Sequence, residues 1–229
     1  MKQLNEKAQK ILNISLTAIF AVAVVLFIIT FSIGLPIYCR FFYFMQIEGL
    51  NIPADTGKTV AEIKEAYNQM MDYLTLPNTT FGTGVFRFSE EGASHFADCK
   101  GLFTLNTTTL IISTVILVAT LTLSKLKLVT LCRPKGLSIA FYSAISIFVI
   151  GIILGGIVAK DFDKAFTVFH KIFFPGKVNW YFDPYFDQII LALPEQFFLN
   201  CAILIASSLV LIPTGIIVFE LVKKKKLSK

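Results

Sequence analysis

Charge is scarce in this 229-residue chain: Lys, Arg, Asp and Glu make up 16% of it. A soluble domain carries about 25%, so there is too little here to wet the surface of a globule. Histidine occurs only twice and tryptophan once, which leaves two candidates for any imidazole chemistry. The 13 Gly and 8 Pro are scattered and no heptad run is visible, so collagen, disorder and coiled coil are excluded. What fills the chain is apolar: 55% of residues are hydrophobic and 14% aromatic, and the mean hydropathy is +0.71. These residues come in long uncharged blocks, which excludes a single soluble core.

Four blocks stand out. Residues 11–39 hold no charge for 29 positions, and 101–124, 136–159 and 196–219 for 24 each. A spanning helix needs about 20 apolar residues, so the pattern predicts an all-α integral membrane protein forming one membrane domain over 1–229. The expected spans are about 12–37, 106–124, 137–159 and 198–221, with outer loops at 38–105 and 160–197. The first block follows Lys2, Lys7 and Lys10, as a signal peptide would. It exceeds an h-region of about 7–15 residues and lacks a small-x-small cleavage site. Leu35-Pro36-Ile37-Tyr38-Cys39 has the outline of a lipobox, but bulky Tyr38 stands where a small residue is needed. The uncharged blocks also argue against an ion-coupled transporter, which keeps ionisable groups at bilayer depth. Pro213 is expected to kink the fourth span. Gly151-x-x-x-Gly155 permits close helix approach, read first as packing within the monomer and second as a dimer face.

The net charge of +6 and pI of about 9.1 would suggest nucleic acid if the charges were clustered on one soluble face. They are instead sorted by loop. The N-terminus, the 125–135 loop and the C-terminus hold twelve basic and two acidic residues, net +10; stretches 40–100 and 160–195 hold nine and thirteen, net −4. Lys and Arg favour the cytoplasmic side, so both termini are placed inside and both large loops outside. The run Lys223-Lys224-Lys225-Lys226 reads as an anchor to anionic lipid, and no nucleic-acid partner is expected.

The large loops carry the polar chemistry. Arg40-Phe41-Phe42-Tyr43-Phe44 is an aromatic belt of the kind found at a membrane interface. Thr59-Val60-Ala61-Glu62 fits a helix capping box, and Val60, Ile63, Tyr67, Met70, Met71 and Leu74 then follow at helical spacing. Gly57-Lys58-Thr59 resembles the end of a phosphate loop, but the required earlier glycine falls at Ile52. Ser89 is a good N-cap, with Glu90 and Glu91 at the positive end of its helix. That helix sets His95, Asp98, Cys99 and Leu102 on one face, with Asp98 spaced to accept from an imidazole nitrogen. In the second loop Phe162, Phe166, Phe169 and Phe173 make an apolar helix stripe with His170 at its edge, ended by Pro175-Gly176. Both histidines therefore lie on one side of the membrane, beside aromatic helices. Three chemistries compete: a base and hydrogen-bond donor for acyl transfer, a metal site shared with Asp98 and Asp187, or a Cys99 nucleophile next to His95. Cys39 and Cys99 fall on the outer side, where a disulfide is chemically allowed.

A resemblance narrows this. Tyr67-Asn68 with Met71 and Leu74, and Phe88-Ser89-x-x-Gly92-x-x-His95-Phe96-x-Asp98-x-Lys100-x-Leu102-Phe103, are similar to segments of one family. So are Phe169-His170-x-x-Phe173, Trp180-x-Phe182-Asp183-Pro184 and Leu193-Pro194-Glu195-x-Phe197-Phe198. In their order and spacing the chain resembles the lipoprotein intramolecular transacylase family, small four-helix membrane proteins of low-GC Gram-positive bacteria; 18 Lys against 3 Arg fits that background. The resemblance implies an acyltransferase that moves the sn-2 acyl chain of an S-diacylglyceryl-cysteine lipoprotein to its own α-amino group. It implies His95 and His170 as the catalytic pair, with Ser89, Asp98, Lys100, Trp180, Asp183 and Asp187 as supporting or substrate-binding residues. It implies no cofactor and no metal, with a diacylated lipoprotein and membrane lipid as partners; the glycine spacing above makes a monomer the first reading of the working state and a dimer the second. Cys99 stands where the family carries an aliphatic residue, so its thiol is not required. Two readings stand beside it: a metal-dependent membrane hydrolase using the same His and Asp residues, and a non-enzymatic accessory subunit.

Overall fold

The computed structural model describes the backbone of residues 2–227. Among these residues it is all helix, with no strand. The helices are α1 (Lys2–Tyr38), α2 (Arg40–Phe44), α3 (Ile52–Thr56), α4 (Val60–Thr75), α5 (Glu90–Lys125), α6 (Ile139–Lys160), α7 (Phe162–Phe173), α8 (Ile189–Ala192) and α9 (Glu195–Leu227). Four of them, α1, α5, α6 and α9, are long and apolar enough to cross a membrane. Large apolar side chains on them lie open, such as Ile111, Ile112, Val115 and Val118 on α5 and Ile152 and Ile153 on α6. Such a surface suits lipid, where each helix satisfies its own backbone.

The long helices overrun the expected spans. At about 1.5 Å per residue, the 36 residues of α5 reach well beyond a core of about 30 Å. The helix expected to start at Ser89 and the span expected from 106 are one continuous element. No proline or turn residue separates them, and Gly101 alone does not break a helix. Likewise α1 takes in the charged residues before position 11, and α9 runs on through Pro213.

By its contacts the chain forms two units. One comprises the described residues up to Ser32, Thr107–Leu154, and those from Ala206 onward; the other comprises Ile33–Asn106 and Gly155–Ile205. In the first, Ser143 Oγ donates to Ala21 O at 3.2 Å. Gly151 abuts α9 so closely that a Cβ there would lie 2.9 Å from the Leu209 carbonyl oxygen. This glycine therefore serves packing within the chain, the first of its two expected uses.

The second unit is built around α2 and α4. Thr59 and Glu62 close the expected capping box, the Thr59 N–H donating to Glu62 Oε2 at 2.8 Å and the Glu62 N–H to Thr59 Oγ1 at 3.3 Å. The apolar face of α4 (Ile63, Ala66, Tyr67, Met70, Met71, Leu74) is buried against the protein itself. Tyr67 stacks on Tyr43 with ring centroids 3.8 Å apart, and the Tyr43 hydroxyl donates to the Ala192 carbonyl at 2.6 Å. Arg40 holds Asp72 in an ion pair and donates to Asn68 at 3.0 Å, fixing α4 to the start of α2. All four thiols are free, so the allowed Cys39–Cys99 bridge is not formed; Cys39 is exposed, while Cys99 turns toward His95.

Candidate active site

Both histidines lie in the second unit and both are buried, His95 at 5% and His170 at 6% exposure. Their ring centroids are 5.7 Å apart, tilted by 31°. Phe174 and Phe182 meet the His95 ring edge-on at 4.9 and 5.5 Å. Trp180 stacks on His170 at 4.6 Å, and Phe166 lies 4.2 Å from the same ring. The pair thus sits in an aromatic cage drawn from α5, α7 and the 174–182 segment.

The sequence placed His170 at the edge of the phenylalanine stripe of α7. In the structure His170 points into the protein, while Phe169 and Phe173 are 45% and 48% exposed. An imidazole turned inward needs a polar partner, and His170 has one. Its Nδ1 lies 2.8 Å from the Phe166 carbonyl oxygen one turn back. A carbonyl only accepts, so Nδ1 carries the proton and Nε2 keeps a lone pair in the neutral ring. Burial pulls the His170 pKa below the usual imidazole value, and this hydrogen bond offsets only part of the effect.

His95 is held differently. Its Nε2 lies 3.4 Å from Cys99 Sγ, while Nδ1 is buried without any hydrogen-bond partner. The expected bond from Asp98 is not made. Asp98 pairs with Lys177 instead and accepts from Asn179 Nδ2 at 3.2 Å. Nothing in the local sequence marks Lys177 and Asn179, just past α7, as partners of α5. Their role depends on a loop folding back onto α5, which no local pattern reports. Asn179 also reaches Ser94 Oγ at 3.4 Å.

Ser89 caps α5 as expected, its Oγ accepting from the Gly92 N–H at 2.9 Å. Its N–H donates to Asp187 Oδ1 at 2.8 Å and its hydroxyl to Asp187 Oδ2 at 2.9 Å. Buried Asp187 is thus a strut between the start of α5 and the second loop. Gly92 makes room for it, because a Cβ there would fall 2.1 Å from Asp187 Oδ1. Trp180 is buried, and its Nε1 donates to the Lys177 carbonyl at 3.0 Å. Asp183 shapes a turn, its Oδ1 accepting from the Tyr185 N–H at 2.8 Å. Lys100 turns to Thr79 and lies 4.3 Å from the centroid of the Tyr73 ring. Among the described residues, no three His, Cys, Asp or Glu side chains converge in an arrangement fit for a metal ion.

The class these observations define is a helical membrane protein with a buried imidazole pair, able to move protons at a shielded site. The match to known proteins is specific. The chain belongs to the lipoprotein intramolecular transacylase Lit family, whose model matches residues 18–198. It is similar to the solved in meso structure of membrane-integral Lit from Bacillus cereus, with 27% identity and a TM-score of 0.80 over 93% of this chain and 96% of that one. A form of the same Bacillus cereus protein with a histidine changed to arginine gives 25% identity and a TM-score of 0.75 over the full length of both chains. No curated protein matches the chain by sequence. The protein is therefore a multi-pass membrane acyltransferase, which sets aside the accessory-subunit reading.

Proposed function

We propose that the protein moves the sn-2 acyl chain of an S-diacylglyceryl-cysteine lipoprotein onto the α-amino group of the same cysteine, leaving a lyso-form lipoprotein. The observation that carries this is the histidine pair: the only two in the chain, 5.7 Å apart, caged by aromatic rings, with one buried nitrogen unpartnered. His170 Nε2, its lone pair left by the Nδ1 bond to Phe166, takes a proton from the α-ammonium, which titrates near 8. The freed amine attacks the ester carbonyl. His95 Nδ1 donates to the developing oxyanion. As the tetrahedral intermediate collapses, the ester C–O bond breaks and the amide C–N bond remains. The proton held by His170 passes to the leaving glycerol oxygen, and the freed Nε2 then takes the surplus proton from the attacking nitrogen, leaving a neutral amide, and releases it to water. An ester becomes an amide, which runs downhill without ATP or acyl-CoA. Donor and acceptor belong to one molecule, so holding them together supplies much of the rate. In this reading both termini are cytoplasmic, the site faces the outer leaflet, and the protein works as a monomer on its lipoprotein.

The test is single-residue variants assayed by mass spectrometry of the lipoprotein product. His95→Ala and His170→Ala are each expected to lose about 10²–10⁴-fold in rate. His95→Gln, which keeps a donor, is expected to retain more activity than His95→Ala, while His170→Gln gains nothing over His170→Ala. Full activity in either alanine variant refutes the mechanism. Activity lost to a chelator and restored by zinc points instead to a metal-dependent hydrolase.

A further inference from the structure

The first unit holds a cavity of about 800 Å³ that acyl transfer does not use. Its walls are apolar, with Leu121 and Ile216 among them, and its rim carries Lys127, Arg133 and Lys223. Among the described residues that line it, Glu220 is the single acid, buried at 7% exposure. It accepts from Arg133 Nη2 at 3.2 Å and from the Ser138 N–H at 3.1 Å. The Ser138 hydroxyl beside it is buried without a hydrogen-bond partner. Three cations against one carboxylate leave a net +2 at the mouth of an apolar crevice among membrane-length helices. Ligand sites have this character: mostly apolar walls with a few placed polar groups.

We propose that this cavity binds an anionic glycerophospholipid. The acyl chains lie along the apolar walls, and the phosphate sits between Lys127 and Lys223. The Arg133–Glu220 pair sets the shape of the mouth, and the Ser138 hydroxyl is free to donate to a phosphate or ester oxygen. Basic pockets between spanning helices recognise lipid head groups in this way. The occupant is a lipid because both features are present together. Free phosphate has no use for the apolar walls, and a neutral lipid has none for the charge.

The experiment uses the full chain, delipidated in a neutral detergent, with thermal melting and native mass spectrometry as readouts. Phosphatidylglycerol is expected to raise Tm and to remain bound at about one-tenth the concentration needed for phosphatidylcholine of the same chains. The paired substitutions Lys127→Gln and Lys223→Gln are expected to abolish this preference without changing acyl transfer in lipid-free detergent. Lys7→Gln with Lys10→Gln, the same loss of charge outside the cavity, is expected to keep it. Equal response to both lipids, a preference surviving in the cavity variant, equal loss in the control pair, or a full response to glycerol phosphate without chains each overturns the proposal.

Discussion

Burial and a backbone hydrogen bond pull the proton affinity of His170 in opposite directions, and burial wins. Its neutral form is therefore favoured in the fold. As pH falls through the ordinary imidazole range near 6.5, the unfolded chain takes up the proton before the native one does. Stability from this group is complete above that range and declines below it. A base that must be neutral follows the same sign, so the acid limb of kcat/KM is expected below about 6.5. Trp180→Ala removes the ring that covers His170 and is expected to move the limb up toward that value. A pH–rate profile over the acid range checks both points, and a limb already at 6.5 in the wild type, or unmoved in the variant, contradicts them. Both histidines stood out in the sequence because they are so few. How each is held did not. The Phe166 carbonyl is a local partner that helix geometry supplies, but the Trp180 stack depends on the loop past α7 folding back. The surroundings of the His95 Nδ1 depend on rings from the second large loop, Phe174 and Phe182.

Helix α5 shows where local signals suffice and where they fail. Its Ser89 cap and acidic first turn were legible, because N-terminal N–H groups need an acceptor within three residues. Its length was not, since hydropathy marks only the part at bilayer depth and the helix continues past it. The partner of Asp98 is likewise not the one its spacing favours. Spacing offered His95, but Lys177 supplies an opposite charge, which binds a carboxylate more strongly than a neutral ring does. Gly92 carries a clear prediction at this scale. Any side chain there must displace the buried Asp187 carboxylate or the Phe182 ring, which would lie 2.1 and 3.0 Å from the new Cβ. Gly92→Ala is expected to cost about 1–3 kcal/mol, as overpacking does, and to lower acyl transfer, because α5 carries His95 and Phe182 packs against it. An unchanged melting temperature in the variant contradicts this account.

At the scale of the whole molecule, two uneven distributions make the same argument. On the proposed topology, four spans put the twelve basic residues of the N-terminal, 125–135 and C-terminal stretches and the two histidines of the other loops on opposite sides. An even number of crossings returns both termini to one side, and in the orientation proposed above the basic bias puts that side in the cytoplasm. On that proposed orientation the histidine pair lies toward the outer face. The prediction concerns accessibility. In a chain with Cys39 replaced by serine, Asp55→Cys is expected to react with a membrane-impermeant thiol reagent on intact cells, because Asp55 is exposed in the first large loop. Lys7→Cys, exposed near the start of α1, is expected to react only after the membrane is opened. Cys99 is half-buried against His95 and Cys201 and Cys132 are only partly accessible, so their background labelling is measured in the Cys39→Ser parent. The reverse pattern would put the site at the cytoplasmic leaflet. It would also require the basic loops to have crossed the membrane against the charge bias that normally sets orientation.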